Sequence, residues 1–128
     1  MNKIQTLHSF WSSFGIPAYD ENSVPIAEER IRLHGSAFPY ITYEVITDDF
    51  GNQTAQTASL WYRDSSWAGI TEKEQQISEF ISRGGINIAY DTGAMWIQKD
   101  RPWAQRMNDP SDEMVRRIVL NIMIEFLD

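Results

Sequence analysis

The residues best suited to chemistry are two histidines and a group of carboxylates in the first half of the chain. His8 and His34 are the only histidines, and neither has a second ligand at a spacing typical of a metal site. Glu44, Asp48 and Asp49 are carboxylates that could form an acid–base pair or bind a hard cation. Aspartate is also frequent in turns, and both aspartates lie in a polar segment typical of a turn. We therefore expect surface histidines and solvated turn carboxylates.

Other catalytic signatures are missing from the sequence. The chain has no cysteine, which excludes disulfides, thiol catalysis and thiolate metal sites. It has no glycine-rich phosphate loop, no zinc-binding helix motif and no serine–histidine pattern. We predict a protein that is not an enzyme and that holds no cofactor or metal.

Length and charge narrow the class of protein further. A chain of 128 residues with 42% hydrophobic residues suits a single domain spanning 1–128. The 11 basic and 18 acidic side chains give a formal net charge of -7, the wrong sign for gripping a phosphate backbone. No apolar run approaches the roughly 20 residues that cross a bilayer, and the first residues do not resemble a signal peptide. We expect a soluble protein that binds neither membranes nor nucleic acid tightly.

Five tryptophans are the unusual feature of the composition. Residues 60–67 read LWYRDSSW, and in a strand Trp61 and Tyr62 point to opposite faces. A continuous platform for stacking bases or sugars is therefore not expected. The stretch is interpreted as a strand that runs into the corner before a helix, with Trp67 packed at that corner.

A second group of aromatic and basic residues lies further along the chain. Trp96 and Trp103 flank a charged segment, and tryptophan and arginine are enriched at protein interfaces. The residues predicted to form a subunit interface are Trp96, Arg101, Trp103 and Arg106.

Apolar residues at three- and four-residue spacing predict two helices. The first covers residues 4–14 and ends before a glycine and a proline. The second begins at Thr71, which forms a capping-box pattern with Glu74, and ends before Gly84. Its predicted apolar stripe contains Ile77, Phe80 and Ile81. Residues 17–37 are rich in turn formers and predict a long exposed connection with a helical turn in AEERIRL.

Alternating apolar and polar residues predict the strands. Residues 38–47 and 56–63 are expected to pair as an antiparallel hairpin, and 86–100 to form two short strands around a tight turn. Residues 101–112 predict an irregular crossing. The apolar spacing of 114–127 suits a helix as well as a strand, but its many β-branched residues favour a strand. The inward residues of that strand would be Ile118, Leu120, Ile122, Ile124 and Phe126.

These elements together predict an α+β fold, with a mostly antiparallel sheet of four to five strands and two helices packed on it.

Several segments resemble the small tail terminator, or tail-completion, proteins of long-tailed bacteriophages. The segments that carry the resemblance are AYDENSVP, FPYITYEV, SLWYRDSSW, GGINIAYDTGAMWIQKDRPW and VRRIVLNIMIEF, and they extend over nearly the whole chain. Residues 26–37 are longer than the family pattern. The resemblance implies a subunit that assembles as a homo-oligomeric ring, often a hexamer, at the head-proximal end of the tail tube. Its implied partners are the major tail tube protein and the head–tail connector or neck protein, and its implied location is the virion after assembly in the host cytoplasm.

Two hypotheses follow for how such a ring works, and one alternative stays open. Edge strands and the segment around Trp96, Arg101, Trp103 and Arg106 would meet the neighbouring subunit. The acidic residues Glu44, Asp48 and Asp49 would face the lumen, so that DNA passes without sticking. The alternative is a small acidic inhibitor or adaptor that binds a host protein.

Overall fold

A six-stranded sheet forms the centre of the fold. The computed structural model describes residues 1–48 and 51–128. Their elements in chain order are α1 (Lys3–Ser12), β1 (Ala18–Asp20), α2 (Ala27–His34), β2 (Tyr40–Tyr43), β3 (Gln53–Arg63), α3 (Ala68–Ile81), β4 (Ile86–Tyr90), β5 (Gly93–Asn108) and β6 (Val115–Phe126). None of the helices in these two ranges has the length and apolarity needed to cross a bilayer.

The strand order is β1-β2-β3-β6-β5-β4. β1 and β2 are parallel, and every other pair is antiparallel, so the sheet is mixed. The predicted α+β class and both predicted hairpins are confirmed. The prediction of four to five strands and two helices missed β1 and α2. Both lie in the 17–37 segment that was predicted as a connection with one helical turn.

β6 lies between the two longest strands and supplies much of the core. Its five predicted inward residues are all buried, which confirms the choice of strand over helix. They pack with α1 and α3, which cover the same face of the sheet. Full burial of an aliphatic side chain contributes about 1.5–3 kcal/mol, so this alternation alone orients the sheet.

α1 begins at a capping box that the sequence analysis did not identify. The Asn2 side chain accepts a hydrogen bond from the Gln5 amide, and the Gln5 side chain accepts one from the Asn2 amide. The helix buries Leu7 and Trp11 as predicted. Ile4, which the spacing placed in the same stripe, is 53% exposed.

The predicted capping box of α3 is wrong. The helix begins at Ala68, so Thr71 lies in its first turn, where its amide donates to the Trp67 carbonyl. The Ser66 hydroxyl accepts from the Ala68 amide instead. LWYRDSSW is therefore a strand that runs into a helix corner, as predicted, with Trp67 at the N-cap.

The predicted irregular crossing at 101–112 is also wrong for most of its length. β5 continues to Asn108 and pairs with β6, with a register shift between Lys99 and Ala104. Pro102 lies in this bulge, where its missing amide hydrogen removes no regular ladder bond. The sequence signal of a loop was thus a local bulge in one long strand.

Candidate functional site at the open edge of the sheet

The outer side of β5 is open over most of its length. β4 pairs with Gly93–Ile97 only. Within residues 1–48 and 51–128, no strand pairs with the outer side of β5 from Gln98 to Asn108. The backbone groups of such an edge are a template for pairing with another chain. This edge is therefore the strongest structural candidate for an interface.

The four predicted interface residues all lie on β5, but they do not form one cluster. Trp103 and Arg106 point to the α3 side. The Trp103 indole donates to the Glu74 carboxylate over 2.7 Å, and the Arg106 guanidinium lies 4.7 Å from the centre of the Trp67 ring. Arg101 lies in the bulge and is exposed.

Trp96 lies on the opposite face of the sheet. Its neighbours Met95 and Ile97 are buried in the core, so alternation points Trp96 away from the helices. Its indole donates to the Gly84 carbonyl over 2.9 Å and packs against Gly85. The structure thus places two of the predicted residues on one face, one in the bulge and one on the other face.

The face without α1 and α3 carries a stack that the sequence analysis did not predict. The Tyr40 and Trp61 rings are nearly parallel, with centres 6.0 Å apart. The guanidinium of Arg30 lies 4.3 Å from the Tyr40 ring centre, and that of Arg117 lies 4.6 Å from the Trp61 ring centre. Two cations therefore enclose two stacked rings. Cation–aromatic contacts of this kind contribute about 0.5–2 kcal/mol each.

The pairing of the strands creates this stack. Trp61 is the register partner of both Tyr40 and Arg117, three residues that are distant in sequence. The Trp61 indole also donates to the Thr42 hydroxyl over 2.9 Å. Burial raises the pKa of the Tyr40 phenol, and the nearby Arg30 and Arg117 oppose that rise. No sequence period links these positions, so only the register could have identified them.

Arg30 is the most deeply buried member of the stack, at 8% exposure. Its Nε donates to the Ala37 carbonyl over 2.9 Å, and its Nη1 donates to the Pro25 carbonyl over 2.6 Å. These bonds join both ends of the α2 segment to the helix. Arg30 therefore fixes α2 against the β1–β2 edge of the sheet.

The acids predicted to face a lumen have structural contacts as well. Glu44 accepts hydrogen bonds from the amide and the hydroxyl of Thr57, so it ties the end of β2 to β3. Asp48 is exposed and accepts from the Asn52 side chain over 3.4 Å. Asp49 lies outside the described residues. Burial, Glu44 and Asp20 together raise the pKa of Glu21, which shows that acids gather at this end of the sheet.

The histidines occupy separate environments. His8 Nδ1 lies 2.7 Å from the Tyr43 hydroxyl, and its Nε2 lies 3.2 Å from the Ser12 hydroxyl. This serine–histidine contact was not predicted, and it arises because residues four apart share one helix face. A tyrosine stands where an activating triad has a carboxylate. His34 packs edge-on against Tyr19, with ring centres 6.2 Å apart.

Comparison with known proteins adds no relationship. No protein-family model matches the chain, and no curated protein matches it. In the part of the chain that the structure describes, no group of three or more acids and histidines is placed to hold a metal ion. The functional argument therefore depends on the surfaces described above and on the segment resemblance.

Proposed function

We propose that this protein is a non-enzymatic structural subunit that forms a ring at the head-proximal end of a phage tail tube. There it stops growth of the tube and helps join the tail to the head. The segment resemblance suggests this role, and the open outer edge of β5 is the structural observation that supports it.

The form of the open edge suits a specific protein partner. A long unprotected edge would invite unselective strand pairing. Here the bulge between Lys99 and Ala104 contains Pro102 and exposed Arg101, which interrupt the edge at its middle. The edge can therefore accept a surface shaped to the bulge more readily than an arbitrary strand. A second copy of the chain meets that requirement in a homo-oligomer.

The two margins of the sheet are unlike. One margin is β1 with α2 beside it, and the other is β4 with the open part of β5. A contact between unlike margins is head-to-tail, and repetition of that contact gives a closed ring when the rotation closes. We propose a hexamer, with the tail tube protein and the neck protein bound at the two ends of the ring.

The acidic end of the sheet has a separate proposed role. We propose that Glu44, Asp48 and Asp49 face the lumen and repel DNA as it passes. Charges are effective over about 8 Å at physiological salt, which is enough to keep a phosphate backbone from adhering. Combined substitution Asp48→Asn and Asp49→Asn should slow DNA ejection from assembled particles. Unchanged ejection would contradict this role.

Electron microscopy of particles made without this protein tests the main proposal. Overlong tails, or heads separated from tails, are expected when the gene is disrupted. Normal virions would overturn the proposal. Sedimentation of the purified protein with tail tube protein provides the second test, and persistence of the monomer at high concentration would also count against a ring.

The gathered acids also favour one alternative function. Asp20, Glu21 and Glu44 lie close enough for the two neighbours to raise the pKa of Glu21. Such a surface could imitate DNA phosphates and inhibit a host nucleic-acid-binding protein. That alternative predicts a one-to-one complex with a host protein and no effect on tail length.

A further inference from the structure

α2 exposes apolar side chains while it buries a charged one. Ile26 is 69% exposed and Leu33 is 50% exposed, whereas Arg30 is 8% exposed. Ile26 and Leu33 are seven residues apart, so they lie on the same side of the helix, one above the other. We name this pair the α2 knob. Its two side chains form an apolar surface on a chain with a net charge of -7.

The α2 knob is held in a fixed position. Arg30 donates to carbonyls before and after the helix and packs on the Tyr40 ring. Gly35 ends the helix with a φ of 85°, and its amide donates to the Ile31 carbonyl over 2.8 Å. A fixed apolar surface loses little conformational entropy on binding, which favours its use as a contact.

An apolar groove lies at the other margin of the sheet. It is bounded by α1, by the C-terminal end of α3 and by β4, and it has a volume of about 410 Å³. Phe80 is 50% exposed in it, and Ile86 and Ile88 are only partly buried, although both point to the core side of β4. The residues that line it include no acidic or basic side chain. We name this the β4 groove.

The α2 knob cannot fill the β4 groove of its own chain. β1 and β4 are the two outer strands of a six-stranded sheet, and five spacings of about 4.8 Å separate them by about 24 Å. The charges beside the two surfaces are complementary. Glu28 and Glu29 lie in the first turn of α2, and exposed Arg83 follows the end of α3 beside Phe80.

We propose that the α2 knob of one subunit docks in the β4 groove of a second copy of the chain. This proposal rests on the ring proposed above and identifies the surfaces that join its subunits. The knob and the groove occupy unlike margins, so each subunit offers one of each, and the contact repeats head-to-tail.

The absence of cysteine from the chain makes a covalent test direct. A chain that carries Leu33→Cys is mixed with a chain that carries Ile88→Cys under mild oxidation, with tail tube protein present. The expected result is a disulfide-linked dimer in the mixture, and none with either variant alone. A chain that carries both substitutions should give a ladder of covalent oligomers that stops at the ring size.

Ile31→Cys is the matched control for Leu33→Cys. Ile31 belongs to the same helix and is 49% exposed, but it is two residues from Leu33 and lies on the other flank. Its pair with Ile88→Cys should cross-link at least tenfold less. In the same way, Leu33→Asp should abolish ring formation, and Ile31→Asp should leave it intact. Circular dichroism establishes that each variant is folded.

The outcomes separate this proposal from the proposed function. Rings that form but do not cross-link between Leu33→Cys and Ile88→Cys would overturn the knob–groove contact and leave the ring standing. Cross-linking of Leu33→Cys with itself would overturn the head-to-tail arrangement. A protein that stays monomeric beside tail tube protein would overturn both.

Discussion

The indole of Trp61 and the phenol ring of Tyr40 lie on adjacent strands, with an angle of 11° between their planes. The two guanidinium groups of Arg30 and Arg117 enclose this pair. The stack links α2, β2, β3 and β6 on the face that α1 and α3 leave free. It therefore stabilises the margin of the sheet where the α2 knob is held.

Loss of the indole should weaken this arrangement measurably. Trp61→Ala is expected to lower the free energy of unfolding by about 2–3 kcal/mol, less than a fully buried tryptophan, because Trp61 is partly exposed. Trp61→Phe keeps an aromatic ring but loses the bond to Thr42, and should cost about 1 kcal/mol. Urea unfolding measures both. Equal losses would mean that the hydrogen bond, and not the stack, carries the effect.

Removal of the Arg30 guanidinium should release α2. Arg30→Met leaves the Pro25 and Ala37 carbonyls without their donors, at a cost of about 2 kcal/mol. Hydrogen exchange of the α2 amides should become faster. Arg32→Met is the matched control, since Arg32 is exposed and pairs only with Glu29 on the same helix. If the two variants exchange alike, Arg30 does not anchor the helix.

The turn between β5 and β6 should lose stability in acid. The pKa of Asp112 is lowered, first by the Met114 amide and then by Arg63, which donates to the carboxylate over 3.0 Å. A lowered pKa in the folded state means that the unfolded state binds the proton more readily. The stabilisation is complete above the ordinary pKa of 3.8 and is lost as the pH falls through the folded value.

Asp112→Asn tests this dependence on pH. The difference in stability between the original protein and the variant should shrink when the pH falls below about 4. Glu113→Gln alters the adjacent exposed carboxyl and is the control. A difference that stays constant from pH 6 to pH 2 would contradict the assigned contacts.

Two adjacent glycines should respond differently to alanine. Gly85 has a φ of 81°, and a Cβ there would lie 2.7 Å from the Ile97 carbonyl oxygen and 2.6 Å from Trp96 Nε1. Gly85→Ala should therefore destabilise the protein by about 2–4 kcal/mol and displace the Trp96 ring. Gly84 has open space around its Cβ position, so Gly84→Ala should change stability by no more than about 0.5 kcal/mol. Thermal unfolding and tryptophan fluorescence compare them, and similar values for the two variants would contradict this geometry.

The sequence predicted the elements whose residues have a clear period. β6 alternates between core and solvent over twelve residues, and its β-branched residues distinguish it from a helix. α1 has a three- and four-residue spacing that ends at Gly15, where φ is 83°. Local pattern and tertiary burial agree in these segments, so periodicity was enough.

The elements that the sequence did not predict depend on tertiary contacts. β1 has three residues, too few for a pattern, and it exists because it pairs in parallel with β2. The path of β5 through Pro102 requires a bulge that only the register with β6 reveals. Arg30 is buried although arginine is normally exposed, because two carbonyls and two aromatic rings surround it. Each of these features is produced by residues that are distant in sequence or by a local exception to pattern.

Arg101 tests whether the open edge of β5 is a subunit interface. Its side chain is exposed in the bulge, so Arg101→Glu should change the free energy of unfolding by no more than about 0.5 kcal/mol. In a ring, the reversed charge at the contact should weaken association by about tenfold or more, equivalent to 1.4 kcal/mol. Sedimentation with tail tube protein measures that change. Gln75→Glu adds negative charge on exposed α3, away from β5, and should leave association unchanged. Equal association of both variants would remove the bulge from the interface, because a charge reversal at a buried contact cannot be neutral when the same fold and the same partner are present.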